Sequence, residues 1–157
     1  MPQNFDYSLA NPTPGRPVTD WNRLGVRTVS GEAVPNHGAA GLWTPAGANG
    51  PAFVVYANFS VIKRYNRADS YALAVGHLGD RIYGATPFNA AWPSDARALS
   101  RAEKRLLQDL LTRNGFDTQG VDGRIGKNTV AAIRAFQRSK GLVPDGYASP
   151  DLLQRLR

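Results

Sequence analysis

The feature that most constrains this chain is a short motif that occurs twice. Asp122-Gly-Arg-Ile-Gly-Lys-Asn-Thr129 aligns with Asp145-Gly-Tyr-Ala-Ser-Pro-Asp-Leu152. In each copy an Asp-Gly pair predicts a tight turn that feeds a helix start. The glycine supplies positive φ, and the aspartate accepts from nearby backbone amides. Three helices are readable around these turns. Ser100-Arg-Ala-Glu103 is a capping box, in which the serine accepts from the third helical amide and the glutamate reaches back. The stripe Leu106, Leu107, Leu110 and Leu111 follows, Gly115 ends the helix, and Phe116 is expected to fold back onto Leu111. A second helix runs from about Lys127 to Lys140, with Val130, Ile133 and Phe136 inward and Gly141 as its stop. A third opens at Ser149-Pro150, a cap followed by proline at the first helical position, and turns Leu152, Leu153 and Leu156 to the core. Residues 96–157 therefore read as an all-α three-helix module.

The first half reads as a small α+β lobe over residues 1–84, with short strands and one long helix. The compact apolar run Pro51–Tyr56 follows the turn Gly47–Gly50 and is expected to be a strand. Gly41–Thr44 pairs with it as a hairpin, and Val26–Val29 is a third, weaker strand. Thr19 or Asp20 caps a short helix through Trp21 and Leu24. Asn58–Ser60 falls in a joint between strand and helix. The long helix begins within the cluster Tyr65, Asn66 and Tyr71. Its apolar face is Tyr71, Ala74, Val75, Leu78 and Ile82, with Asp69 as its cap and Gly84 as its stop. Residues 85–95 hold two prolines and no period, so they read as a linker, with Trp92 tucked against one of the domains.

Charge and composition narrow the functions. The net charge of +7 divides into +2 over residues 1–94 and +5 over residues 95–157. A basic second half attracts polyanions, whether nucleic acid, anionic lipid or the carboxylates of peptidoglycan. No nucleic-acid partner is expected. Arg124, Lys127, Arg134, Arg138 and Lys140 spread around the second helix and its entry loop, and no aromatic stacking array accompanies them. Cysteine is absent, and His37 and His77 lie in unrelated segments, so no metal or other cofactor is expected. Gly120–Lys127 is one residue too long for a phosphate loop and is followed by Asn128 instead of Ser or Thr. The first residues lack the basic and apolar regions of a signal peptide, and no stretch approaches the ~18 apolar residues of a membrane span.

Tyr65, Asn66 and Tyr71 combine aromatic faces with an amide at a helix entrance. That combination suits a sugar, whose ring faces stack on tyrosines and whose hydroxyls meet an amide. On the residues alone, the competing reading of half-buried tyrosines with wet hydroxyls is the stronger one. The segment RYNRADSYALAVGHLGDRI resembles the end of the catalytic domain of membrane-bound lytic murein transglycosylases of type B. MPQNFDYSLA, RPVTDWNRLGVR and GPAFVVYANFSVIKRYN fit the same family in the same order. The resemblance implies a lysozyme-like domain that cleaves between N-acetylmuramic acid and N-acetylglucosamine, with a single glutamate as acid and then base, leaving a 1,6-anhydro product. It also implies that Tyr65, Asn66 and Tyr71 line the glycan groove. The Asp-Gly repeat, with AAIRAFQRSKGL between its copies, resembles the type 1 peptidoglycan-binding domain. Within it Gln137 and Tyr147 are the expected wall contacts, since neither is needed on an apolar face, whereas Asp122 and Asp145 are expected to cap turns. The expected partners are glycan strands and stem peptides, in the periplasm or cell envelope. Neither Glu32, in a polar turn, nor Glu103, in the capping box, lies in the sequence context of the family's catalytic glutamate. The chain is therefore expected to lack that acid, to require an upstream catalytic segment, and to be inactive alone. The alternative is a non-catalytic peptidoglycan-binding or targeting protein.

Overall fold

The computed structural model describes residues 1–93 and 97–157. Positions 94 and 95 of the expected linker, and position 96 at the start of the expected module, lie outside the described residues. The chain forms two compact units. The first comprises residues 1–5, 9–44 and 52–90; the second comprises residues 6–8, 45–51 and 91–157.

The first unit is built on a three-stranded antiparallel sheet in the order β1-β2-β3, with β1 Asn11–Pro17, β2 Ala39–Trp43 and β3 Phe53–Val55. The expected hairpin of β2 and β3 forms, with Leu42 opposite Val54 and Trp43 opposite Phe53. The expected strand at Val26–Val29 does not. Arg27 makes one isolated bridge to Ala33, inside a turn that Thr28 closes by donating its N–H to the Glu32 carbonyl. The third strand is instead the proline-rich Asn11–Pro17, an edge strand whose register with β2 shifts between Asn11 and Arg16. Prolines are tolerated there because an edge leaves some amides unpaired in any case. At the crossing with β2, a Cβ on Gly41 would lie 2.6 Å from the Asn11 carbonyl oxygen, so only glycine fits.

Helix α1, Val18–Arg23, follows β1 directly. Pro17 is its N-cap, and no side chain caps it, contrary to the expected role of Thr19 or Asp20. Trp21 is buried, and its indole N–H donates to the Ala40 carbonyl at 3.1 Å. The segment expected as a strand-to-helix joint is a full helix, α2 Ala57–Tyr65. Its N-cap, Tyr56, offers no side-chain cap, so the usual start signal is missing. Helix α3, Asp69–Ile82, packs on α2 through Ala72 and Leu73, against Phe59, Ile62 and Val55. This corrects the expected face: Val75, Leu78 and Ile82 point away, and Ile82 is 74% exposed. The sequence YALAVGHL is apolar on more than one side, so periodicity alone does not select the packed face. Asp69 is the first helical residue, not the cap, and pairs with Lys63 of α2. Phe88, from the expected linker, stacks on His77 with 3.7 Å between ring centroids and meets Phe53 edge-on at 5.0 Å.

The second unit contains α4 Arg101–Arg113, α5 Lys127–Ser139 and α6 Pro150–Arg155. Its core joins Leu107, Leu111, Ile133, Phe136, Leu152, Leu153 and Leu156. The capping box forms: Glu103 N–H donates to Ser100 Oγ at 3.2 Å, and Ser100 N–H to Glu103 Oε2 at 2.8 Å. The Schellman stop also forms, with Phe116 N–H donating to the Leu111 carbonyl and Gly115 at φ 86. Leu106 departs from its expected place in the stripe and is exposed, while the polar Gln108 is buried. Trp92, expected against one of the domains, is 47% exposed.

Candidate functional site

Tyr65, Asn66 and Tyr71 converge where α2 hands over to α3. Tyr65 ends α2, Asn66 is its C-cap with extended dihedrals (φ −137, ψ 120), and Tyr71 lies in the first turn of α3. Asn66 holds the bend: its Oδ1 accepts from the Ala68 N–H at 3.0 Å, while its own N–H donates to the Ile62 carbonyl. The tyrosine rings lie 6.0 Å apart, tilted by 32°. Tyr65 is 86% exposed and Tyr71 is half-buried. The Lys63–Asp69 ion pair clamps the two helices beside them. An exposed aromatic face beside an amide that still has donors to offer can stack on a pyranose and bond its hydroxyls.

In the second unit both Asp-Gly turns are held by one device. Asp122 Oδ1 accepts from the Arg124 N–H at 2.8 Å and from the Gln108 amide at 3.1 Å, and Gly123 N–H donates to Gln108 Oε1 at 2.8 Å. In the second copy Asp145 Oδ1 accepts from the Tyr147 N–H at 2.9 Å and from the Gln137 amide at 2.7 Å, and Gly146 N–H donates to Gln137 Oε1 at 2.9 Å. Gln137, expected as a wall contact, is only 6% exposed, and its amide is engaged in the turn. With Tyr147 it walls a cavity of about 330 Å³ that Asp145, Ala48 and Asn49 also line. The structural role of the glutamines escapes periodicity because both sit beside stripe leucines or core aromatics at positions that a helical wheel assigns to solvent or rim. A signal exists in the sequence all the same: each Asp-Gly turn follows a helix that carries a glutamine.

Neither glutamate is disposed as a general acid. The Arg97 guanidinium grips Glu103 with both nitrogens, at 2.6 and 2.8 Å, and Ser100 adds its backbone N–H. Together they hold the Glu103 carboxyl down to about 2. Glu32 is exposed in the Thr28–Glu32 turn, where Ser30 Oγ donates to its Oε2 at 3.3 Å.

These features form an α+β lobe followed by a three-helix module. Residues 1–80 match the Transglycosylase SLT domain family, and residues 100–156 match the peptidoglycan binding domain family. The chain belongs to the transglycosylase SLT family. It is similar along its whole length to SltB3 of Pseudomonas aeruginosa, at 46% identity and a TM-score of 0.91. That protein has been solved in complex with NAG-NAM-pentapeptide and, with the same identity and TM-score, with NAG-anhNAM-pentapeptide. The present chain spans 43% of the SltB3 chain. No curated protein matches it. Among the described residues, no helix is long and apolar enough to cross a membrane.

Proposed function

We propose that this chain contributes substrate-holding and wall-anchoring parts to a peptidoglycan lytic transglycosylase of the cell envelope. In this reading residues 1–84 carry part of the catalytic domain, with Tyr65, Asn66 and Tyr71 in the glycan groove. Residues 85–95 link it to the peptidoglycan-binding module at 96–157, where Tyr147 stands at a contact surface and the buried Gln137 holds the turn that carries it. The observation that carries the reading is the order of the two family matches along one chain, with the tyrosine-amide cluster formed inside the first. The bound NAG-NAM-pentapeptide of SltB3 supports a murein glycan with its peptide stem as the substrate class. The general acid is supplied from outside the residues described above, because Glu103 is locked in an ion pair and Glu32 lies in an open turn.

Sedimentation with purified sacculi tests this. The chain is expected to pellet with sacculi at low and moderate salt and to leave double-stranded DNA unbound in competition. Retention that vanishes on modest salt addition would reduce the binding to nonspecific charge attraction and defeat the reading. The alternative of a purely targeting protein gains support if Tyr65→Ala and Asn66→Ala leave both sacculus binding and complementation by a separately supplied catalytic segment unchanged.

A further inference from the structure

Two cavities of the second unit are related by the internal repeat. The one of about 330 Å³ lies at the Asp145 turn. The other, of about 510 Å³, lies at the Asp122 turn and is walled by Gln108, Asp122, Arg124, Lys127 and Asn128. The same three hydrogen bonds build both turns, so the second carboxylate oxygen of each aspartate points to a comparable place. In the Asp145 copy that oxygen is occupied: Oδ2 accepts the Ala48 N–H at 2.8 Å. A Cβ on Gly47 would lie 2.4 Å from it and 2.8 Å from Tyr147 Cβ, so the backbone of Ala46-Gly47-Ala48 lies directly on the turn. Gly47 has φ 68. In the Asp122 copy Oδ2 has no hydrogen-bond partner among the described residues, and Asp122 is exposed. Arg124 replaces Tyr147 in the alignment of the copies, and Lys127 replaces Pro150.

We propose that the Asp122 turn is a receptor for the peptide stems of peptidoglycan, and that Ala46–Ala48 on Asp145 is an internal copy of the way such a backbone docks. The proposal rests on the reading of residues 96–157 as a wall-binding module and names the moiety it takes. Asp122 Oδ2 accepts a backbone N–H of the stem. The Arg124 guanidinium and Lys127 ammonium meet its free carboxylates in charge-assisted hydrogen bonds. The internal copy is made of small residues and includes a left-handed position. D-residues adopt that position without strain, because their configuration mirrors the steric preference of L-residues. Peptidoglycan stems are short, rich in alanine and partly of D configuration. The Arg124 N–H and the Gln108 amide hold the Asp122 carboxyl below its ordinary range, so the acceptor is an anion at neutral pH.

The test is an NMR titration of the 157-residue chain with L-Ala-γ-D-Glu-meso-diaminopimelate-D-Ala-D-Ala and, separately, with peptide-free chitotetraose. Asp122→Asn keeps Oδ1 for the Arg124 and Gln108 bonds but turns the open acceptor into a donor. The pentapeptide is expected to shift the amides of residues 119–129. Asp122→Asn is expected to weaken that binding at least tenfold while the melting temperature holds. Arg124→Ala with Lys127→Ala should weaken it severalfold, and would decide the matter if Asp122→Asn failed to fold. Shifts that map elsewhere, or affinity unchanged in these variants, would overturn the proposal. If the chain pellets with sacculi while the pentapeptide leaves residues 119–129 untouched, the inference fails and the wall-binding reading stands. Pentapeptide binding at the turn without sacculus binding would uphold the stem-peptide receptor and defeat the wall-binding reading. Loss of both would defeat both.

Discussion

At the scale of single residues, Gln108 does the most for the second unit. It is only 2% exposed among Leu107 and Leu111, yet it serves four partners: Gly123 N–H, Asp122 Oδ1, the Arg124 carbonyl and Thr129 Oγ1. A buried amide is tolerable only when satisfied, and removing it strands the groups it served. Gln108→Met keeps the volume and deletes every one of these bonds. It is expected to destabilise the chain by about 1–3 kcal/mol in urea unfolding, with an unchanged dependence on denaturant. Glu103 sets a pH response. Its carboxyl is lowered from the ordinary 4.5 to about 2, first by Arg97 and then by Ser100. A depressed folded-state value means stability that is complete above the unfolded value and is lost as pH falls through the folded one. The melting temperature should therefore be insensitive to this group above about pH 5 and fall between about 4.5 and 2. Glu103→Gln should flatten that fall. Arg97 is exposed and Glu103 partly so, and raising salt should therefore shrink the difference between the two proteins.

At the scale of elements, legibility follows punctuation. Helices α4, α5 and α6 are readable in the sequence because caps or stops stand at their ends: the Ser100 box, Gly115, Gly141 and Ser149-Pro150. Helix α2 is not, because Tyr56 offers no cap and the helix ends on Asn66 instead of a glycine. Strand β1 is hidden by three prolines, which lower strand propensity everywhere except at an edge, and edge position is a tertiary fact. The site shows the same division. The tyrosine-amide cluster is local, spanning seven residues, and the sequence brings it together. The Ala48–Asp145 bond joins positions 97 apart, and no local pattern announces it. Helix α3 is legible in extent but not in orientation. Its outward stripe of Val75, Leu78 and Ile82 makes no core in the first unit, so Leu78→Lys with Ile82→Lys should change stability by less than about 0.5 kcal/mol. The same double variant should lower binding of a hydrophobic dye. A loss of several kcal/mol in thermal unfolding would mean that the stripe is packed in solution.

At the scale of the whole molecule, the question is whether this chain could cut a glycan strand placed in the proposed groove. Glycosidic cleavage needs a carboxyl that is protonated near neutral pH and poised beside the scissile oxygen. Glu103 is held anionic by Arg97, outside the first unit where the tyrosine-amide cluster lies. Glu32 stands in an exposed turn with Thr28 and Ser30. Asp69 is the carboxyl nearest the cluster in sequence, and it is tied up in an ion pair with Lys63 of α2. Tyrosine, with a solution value of about 10, and asparagine cannot donate a proton and recover it efficiently at pH 7. Incubated with sacculi, the chain is therefore expected to release no 1,6-anhydromuropeptides by chromatography and mass spectrometry, and Glu32→Gln and Glu103→Gln should change nothing. Anhydro products that disappear in Asp69→Asn but persist in Glu103→Gln would overturn this and make Asp69 the acid. If a separately supplied catalytic segment restores cleavage, Asn66→Ala should then lower it. Asn66 sets the bend that presents Tyr65 and Tyr71 together, so its loss removes the candidate amide contact and loosens the bend between the two rings.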